Sequence, residues 1–115
     1  MKKNAPSGLT PAQFLAIALS FPGALEKLHY NQPSVMIAKK FFTRLRCEDN
    51  SAVLTVGSID ERDILLEAEP ALFHITEHYR NYPTVLARLD ALDEARLRAM
   101  LQRRWDDIAP KALRG

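Results

Sequence analysis

The stretch Val35-Met36-Ile37-Ala38-Lys39-Lys40-Phe41-Phe42-Thr43-Arg44-Leu45-Arg46-Cys47-Glu48-Asp49-Asn50-Ser51-Ala52-Val53-Leu54-Thr55-Val56 decides the fold. Val35 to Ala38 is a short run rich in strand formers, and Lys39-Lys40 interrupts it as a tight turn or a bulge. From Phe41 the period is two: Phe41, Thr43, Leu45 and Cys47 alternate with Phe42, Arg44 and Arg46. Glu48-Asp49-Asn50-Ser51 is a polar hairpin turn, and Ala52 to Val56 is a third strand. Three strands joined by short turns are an antiparallel meander.

Helices flank it. Upstream, Thr10-Pro11-Ala12-Gln13 carries an N-cap, a proline at the first helical position and a capping-box glutamine. Phe14, Leu15, Ala18 and Leu19 continue as an apolar stripe until Phe21-Pro22-Gly23 stops it. A polar connector then runs to Pro33. Downstream, Ser58-Ile59-Asp60-Glu61 starts a second helix with acids in its first turn, as the helix dipole favours. Ile64, Leu65 and Ala68 are its expected inward face, and Pro70 ends it. Leu72 to Thr76 and Thr84 to Leu89 read as two more strands. Asp93 caps a last helix whose apolar face is Leu97, Met100, Leu101, Trp105 and Ile108.

The expected fold is therefore α+β, in the order α-β-β-β-α-β-β-α, with a five-stranded, mainly antiparallel sheet and helices on one face. Residues 1–8 are expected to be a flexible arm, and residues 9–115 a single domain. The expected core is Phe14, Leu15, Ala18, Phe41, Leu45, Leu54, Val56, Ile64, Leu65, Phe73, Ile75, Val85, Leu89, Leu97, Leu101 and Trp105.

The 115 residues are 47% hydrophobic and 26% charged, with a formal net charge of +2. That is the composition of one globular domain, not of a disordered chain. Charge is segregated along the chain: +6 over residues 1–47, −7 over 48–77 and +3 over 78–115. The one cysteine, Cys47, precludes an intrachain disulfide and suits a reducing compartment. With no signal peptide pattern and no apolar run long enough to span a bilayer, the expected setting is cytoplasmic, with no membrane partner.

Several strings resemble the MmcQ/YjbR family. They are Phe21-Pro22-Gly23-Ala24, the connector reaching Pro33, His78-Tyr79-Arg80-Asn81-Tyr82-Pro83, and Trp105 followed by Ala109-Pro110-Lys111. Together they span about residues 9–113. One departure is Asn31 after Tyr30, where many relatives have glycine. The resemblance implies a CyaY-like, secretion-chaperone-like fold in a small bacterial protein, with a DNA-binding role and no enzymatic activity.

Two candidate sites follow from the residues themselves. The first is a basic sheet face: strand period groups Lys40, Phe42, Arg44 and Arg46, with Arg88 joining from the last strand. Arginine and lysine can meet phosphates, and an exposed phenylalanine can stack on a base. The second is a loop site of His78, Tyr79, Arg80 and Tyr82, with His29 and Tyr30 nearby, suited to an anionic or planar ligand. Against each stands a bland reading, a solvated sheet edge for the first and packing tyrosines for the second.

Catalytic, metal and cofactor sites are not expected. His74 and His78 are too few for a metal centre, and Cys47, alternating with Phe41 and Leu45, is expected to be buried and inert. Arg96, Arg103 and Arg104 make a basic flank on the last helix. The partner is expected to be DNA, or alternatively a protein or a second copy held at a sheet face or edge.

Overall fold

The computed structural model describes residues 8–29 and 32–114, with His29 described in its backbone only. Helix α1 is Pro11–Leu19, and the Thr10/Gln13 capping box is formed in both directions. Strands β1 (Ala24–His29), β2 (Gln32–Ile37), β3 (Lys40–Arg46) and β4 (Ser51–Thr55) follow. Helix α2 (Ile59–Ala68), the short β5 (Phe73–His74), β6 (Thr84–Arg88) and helix α3 (Glu94–Ile108) complete the order. Single 3-10 turns lie at Glu77–Tyr79, Leu89–Ala91 and Lys111–Leu113.

The six strands form one antiparallel sheet, ordered β1-β2-β3-β4-β6-β5. Thus the α+β class holds, with one strand more than the sequence indicates. The addition is β1, inside the stretch read as a polar connector. Its two leucines, Leu25 and Leu28, are spaced by three and are 71% and 67% exposed. An edge strand that buries neither leucine has no alternation to reveal it. At the other margin β5 is only two residues long, because the chain leaves the sheet after His74.

All three helices pack against one core cluster on one face of the sheet. Phe14, Ile17 and Ala18 enter it from α1, and Leu97, Leu101 and Trp105 from α3. The Trp105 indole donates to the Pro22 carbonyl at 2.9 Å, so the ring buries without an orphaned N–H. Helix α2 turns Leu65 and Leu66 to this core, while Ile64 is 66% exposed, against expectation. The inward stripe of α2 starts one turn earlier, at Arg62, a residue whose charge disguises it as surface.

Candidate ligand-binding face

Among the described residues the opposite face of the sheet carries no α-helix, and a single bulge determines what lies on it. In the β2–β3 ladder Val35 pairs with Thr43, but Met36 pairs with Phe41, which leaves Phe42 as the extra residue. Phe42 turns into the helix-covered core, fully buried and edge-to-face with Phe21 at 5.3 Å between ring centroids. Thr43, the next residue, lies opposite the core residue Val35. Two successive residues therefore point the same way, and strict alternation is broken.

The consequence is a changed cast on the open face. Phe41, not Phe42, shares it with Arg44, and Phe41 packs on the small cluster of Val53, Tyr79 and Leu86. The expected core role of Phe41 and the expected surface role of Phe42 are thus exchanged. From the helix side, Arg104 donates Nε and Nη2 to the Phe41 carbonyl at 3.1 and 2.7 Å. Burial lowers the pKa of this arginine.

Above β4 and β6, residues 77–82 fold over the open face and bury Tyr79 there. Arg44 Nη2 donates to the Tyr79 hydroxyl, linking strand and loop. The loop itself is held from behind by Arg62, which is 6% exposed. One Arg62 nitrogen, Nη1, donates to the carbonyls of Tyr79 (3.2 Å), Arg80 (2.7 Å) and Tyr82 (3.0 Å). Its other side is neutralised by Asp63 at 2.9 Å.

One residue of the basic face read from the sequence, Arg44, therefore lies beside three of the loop residues, His78, Tyr79 and Tyr82. A depression of about 230 Å³ is lined by Phe41 and Arg44 from the strand and by His78, Tyr79 and Tyr82 from the loop. His78 stands edge-on to Tyr79 at 4.8 Å, and Tyr82 is 55% exposed. A second hollow of about 220 Å³ adjoins it, sharing Phe41 and Arg44 and adding Lys27, Ser34 and Met36. A third, of about 390 Å³, continues along Met36 and Lys27 to Leu25 and Lys39.

The remaining candidates fall elsewhere. Lys40 pairs with Ile37, whose side chain belongs to the core, so Lys40 projects toward the helix side and does not join Arg44. Arg46 does lie on the open face, but Asp49 and Glu48 pair with it at 3.1 and 3.7 Å. Arg88 flanks Ser51 across from Arg46 and donates to the Pro70 carbonyl at 3.0 Å. Arg80 is turned to solvent and paired with Glu77. The side chain of His29, and Tyr30 altogether, lie outside the described residues. On the α3 flank, Arg96 and Arg103 are bound to Glu69 and Glu61, whose carboxyl pKa values those hydrogen bonds lower.

Cys47 is a further correction. It sits exposed in the turn after β3, because the strand ends at Arg46 before alternation can carry the thiol inward. Nearby, Ser51 Oγ lies 2.9 Å from His74 Nε2, and Asp49 stands 3.8 Å from that same nitrogen. A hydrolytic triad needs the acid on the other ring nitrogen and an accessible hydroxyl. Here serine and acid share one nitrogen, and Ser51 is fully buried. Among the described residues no cluster of three metal-ligating side chains occurs, and no helix is long and apolar enough to cross a membrane.

Sheet, helices and concave open face define a small α+β domain with a mixed cationic and aromatic groove. More particularly, the chain belongs to the YjbR family, whose family model matches residues 19–107. A search of curated proteins and one of solved structures gave no match.

Proposed function

We propose that this YjbR-family protein is a cytoplasmic, non-enzymatic nucleic-acid-binding protein that holds single-stranded DNA or RNA on the open face of its sheet. Arg44 meets a phosphate, and the rings of Phe41, His78 and Tyr82 offer stacking surfaces to bases. A concave groove with ring faces suits unpaired bases better than a duplex, whose major groove is read by a protruding element. The observation that carries this reading is the position of Arg44. It borders two adjoining hollows beside aromatic rings, and no carboxylate forms an ion pair with it among the described residues. Arg46, Arg80, Arg96 and Arg103 each have a carboxylate partner already.

The test is fluorescence anisotropy with labelled single-stranded and duplex oligonucleotides over a range of salt. Binding to single strands should weaken as salt rises, with a log–log slope of about −0.7 per neutralised phosphate. Arg44→Ala should weaken it about tenfold, the loss of one charge-assisted contact. Arg46→Ala, removing a cation already satisfied by Asp49, should change it less than about threefold. Equal effects of the two substitutions, or no salt-sensitive binding near micromolar protein, would refute the assignment.

A further inference from the structure

The unpaired margin of the sheet at β1 leads to a second surface. Among the described residues β1 pairs with β2 alone, so its outer backbone N–H and C=O groups have no strand beside them. Such an edge is a template for an added strand unless it is blunted by proline, a bulge or shortness. Strand β1 (Ala-Leu-Glu-Lys-Leu-His) has six residues, no proline, and a regular register with β2.

Its side chains specify what could be added. Leu25 and Lys27 share the open face, since they pair with Met36 and Ser34 beside the hollow they line. Glu26, opposite the core residue Val35, alternates to the reverse face with Leu28, although Glu26 also borders the hollow of about 390 Å³. Lys27 and Lys39, at the hollow of about 390 Å³, form no ion pair among the described residues. On the open face the vacancy therefore favours an acid across from Lys27 and an apolar residue across from Leu25. On the reverse face it favours a cation across from Glu26 and an apolar residue across from Leu28.

A second copy fits poorly. Antiparallel addition about a two-fold axis keeps each side chain on its own sheet face, so only residues of like parity come opposite each other. The two registers that pair most of β1 then set Glu26 against Glu26 or Lys27 against Lys27. Like charges directly opposed destabilise a ladder.

We infer that β1 is a docking edge for an extended segment of another protein, added antiparallel and carrying the pattern apolar–acidic–basic–apolar. The acid lies against Lys27 over the Leu25/Met36 hollow, and the basic residue lies against Glu26. Main-chain hydrogen bonds hold the segment, and the two charges and two leucines select it.

The test uses the full chain and two synthetic peptides. One is Thr-Val-Asp-Lys-Val-Thr, and the other has its two charged residues exchanged. Titration by tryptophan-free fluorescence anisotropy of labelled peptide should show the first binding about fivefold more tightly than the second. Lys27→Glu, an exposed change that spares the core, should abolish that preference, because each peptide then meets one attractive and one repulsive charge pair. Hydrogen exchange should slow at the amides of residues 24–28 when the first peptide is present. Tyr82→Ala, in the first hollow and away from Lys27, should weaken oligonucleotide binding and leave peptide affinity unchanged, which separates this edge from the nucleic-acid reading. Equal affinity for both peptides, no binding of either at millimolar concentration, or protection confined to other strands would overturn the inference. So would a concentration-dependent dimer, seen by sedimentation, that itself protects β1.

Discussion

The two faces of this one sheet are stabilised by different forces. Beneath the helices the contacts are apolar and continuous: Phe14, Phe42, Leu89, Leu92, Leu97 and Leu101 are all essentially inaccessible. On the open face the buried hydrophobic cluster among the described residues is Val53, Leu86 and Tyr79, with Phe41 at its margin, and the loop that covers it is tied down by Arg62 and Arg44. A face closed by hydrophobic burial has little freedom to open. One closed by a loop on polar tethers can admit a ligand at modest cost. The neighbouring residues Phe41 and Phe42 test this contrast most directly, since the bulge sends them to opposite faces. Phe42→Ala should cost about 3–5 kcal/mol, the usual range for a fully buried ring. Phe41→Ala should cost less than half of that. Urea denaturation of both variants measures the difference, and near-equal losses would deny the bulge.

Removing the tether behind the loop should give the next largest effect. Arg62→Ala strands three carbonyls and the Asp63 carboxylate, a loss of about 3 kcal/mol for a buried, multiply bonded charge. The distribution of that loss matters more than its size. Hydrogen exchange should accelerate first at residues 77–83, while amides of β3 and β4 retain most of their protection. Uniform acceleration across the sheet would show that Arg62 supports the whole fold and not the loop in particular.

This contrast also explains what the sequence discloses. Period-two patterning, capping boxes and proline stops locate α1, α2, α3 and the central strands because each buries a regular stripe under helices or sheet. The bulge at Phe42 escapes notice because two consecutive phenylalanines offer no polar residue to mark the change of phase. Strand β1 escapes because its leucines are exposed. Arg62 looks like surface although it is an interior donor, its acceptors lying 17 to 20 residues away along the chain. For the candidate site, Arg44, His78, Tyr79 and Tyr82 were readable as functional types. Their meeting in one hollow was not, since it depends on the loop crossing back over β4 and β6. Unbroken strand period puts Lys40 on the wrong face for the same reason that it misplaces Phe42, the bulge between them and Thr43.

A smaller effect is expected at the β2–β3 hairpin, which sets the register of both faces. Its turn residues Ala38 and Lys39 have φ of 50° and 69°, the left-handed region in which side chains other than Asn and Gly are strained. Two-residue hairpins of this hand favour Asn-Gly. The double change Ala38→Asn with Lys39→Gly should raise stability by about 1 kcal/mol, read as a higher urea midpoint at an unchanged slope. A lower midpoint would mean that the turn owes its form to tertiary contacts and not to local preference.

The smallest effect concerns the open face alone and is a matter of pH. Burial first, then the positive charge of Arg88, lower the pKa of His74 below its ordinary value near 6.5; Asp49 pulls the other way, and Arg46 adds a smaller lowering. Ser51 Oγ lies 2.9 Å from the ring nitrogen Nε2, and a protonated ring there would face two arginines. Because the folded-state pKa is depressed, the stabilisation is present above the unfolded value and is lost as pH falls through the folded one. The urea midpoint should therefore decline as pH falls below about 6.5. Glu61 and Glu69, whose pKa values are lowered by Arg103 and Arg96, add a further decline at more acid pH with the same sign. In His74→Gln the first decline should vanish while the second persists, because both glutamates lie on the helix side, away from the substitution. If the variant kept the first decline, the titrating group would lie elsewhere in the molecule.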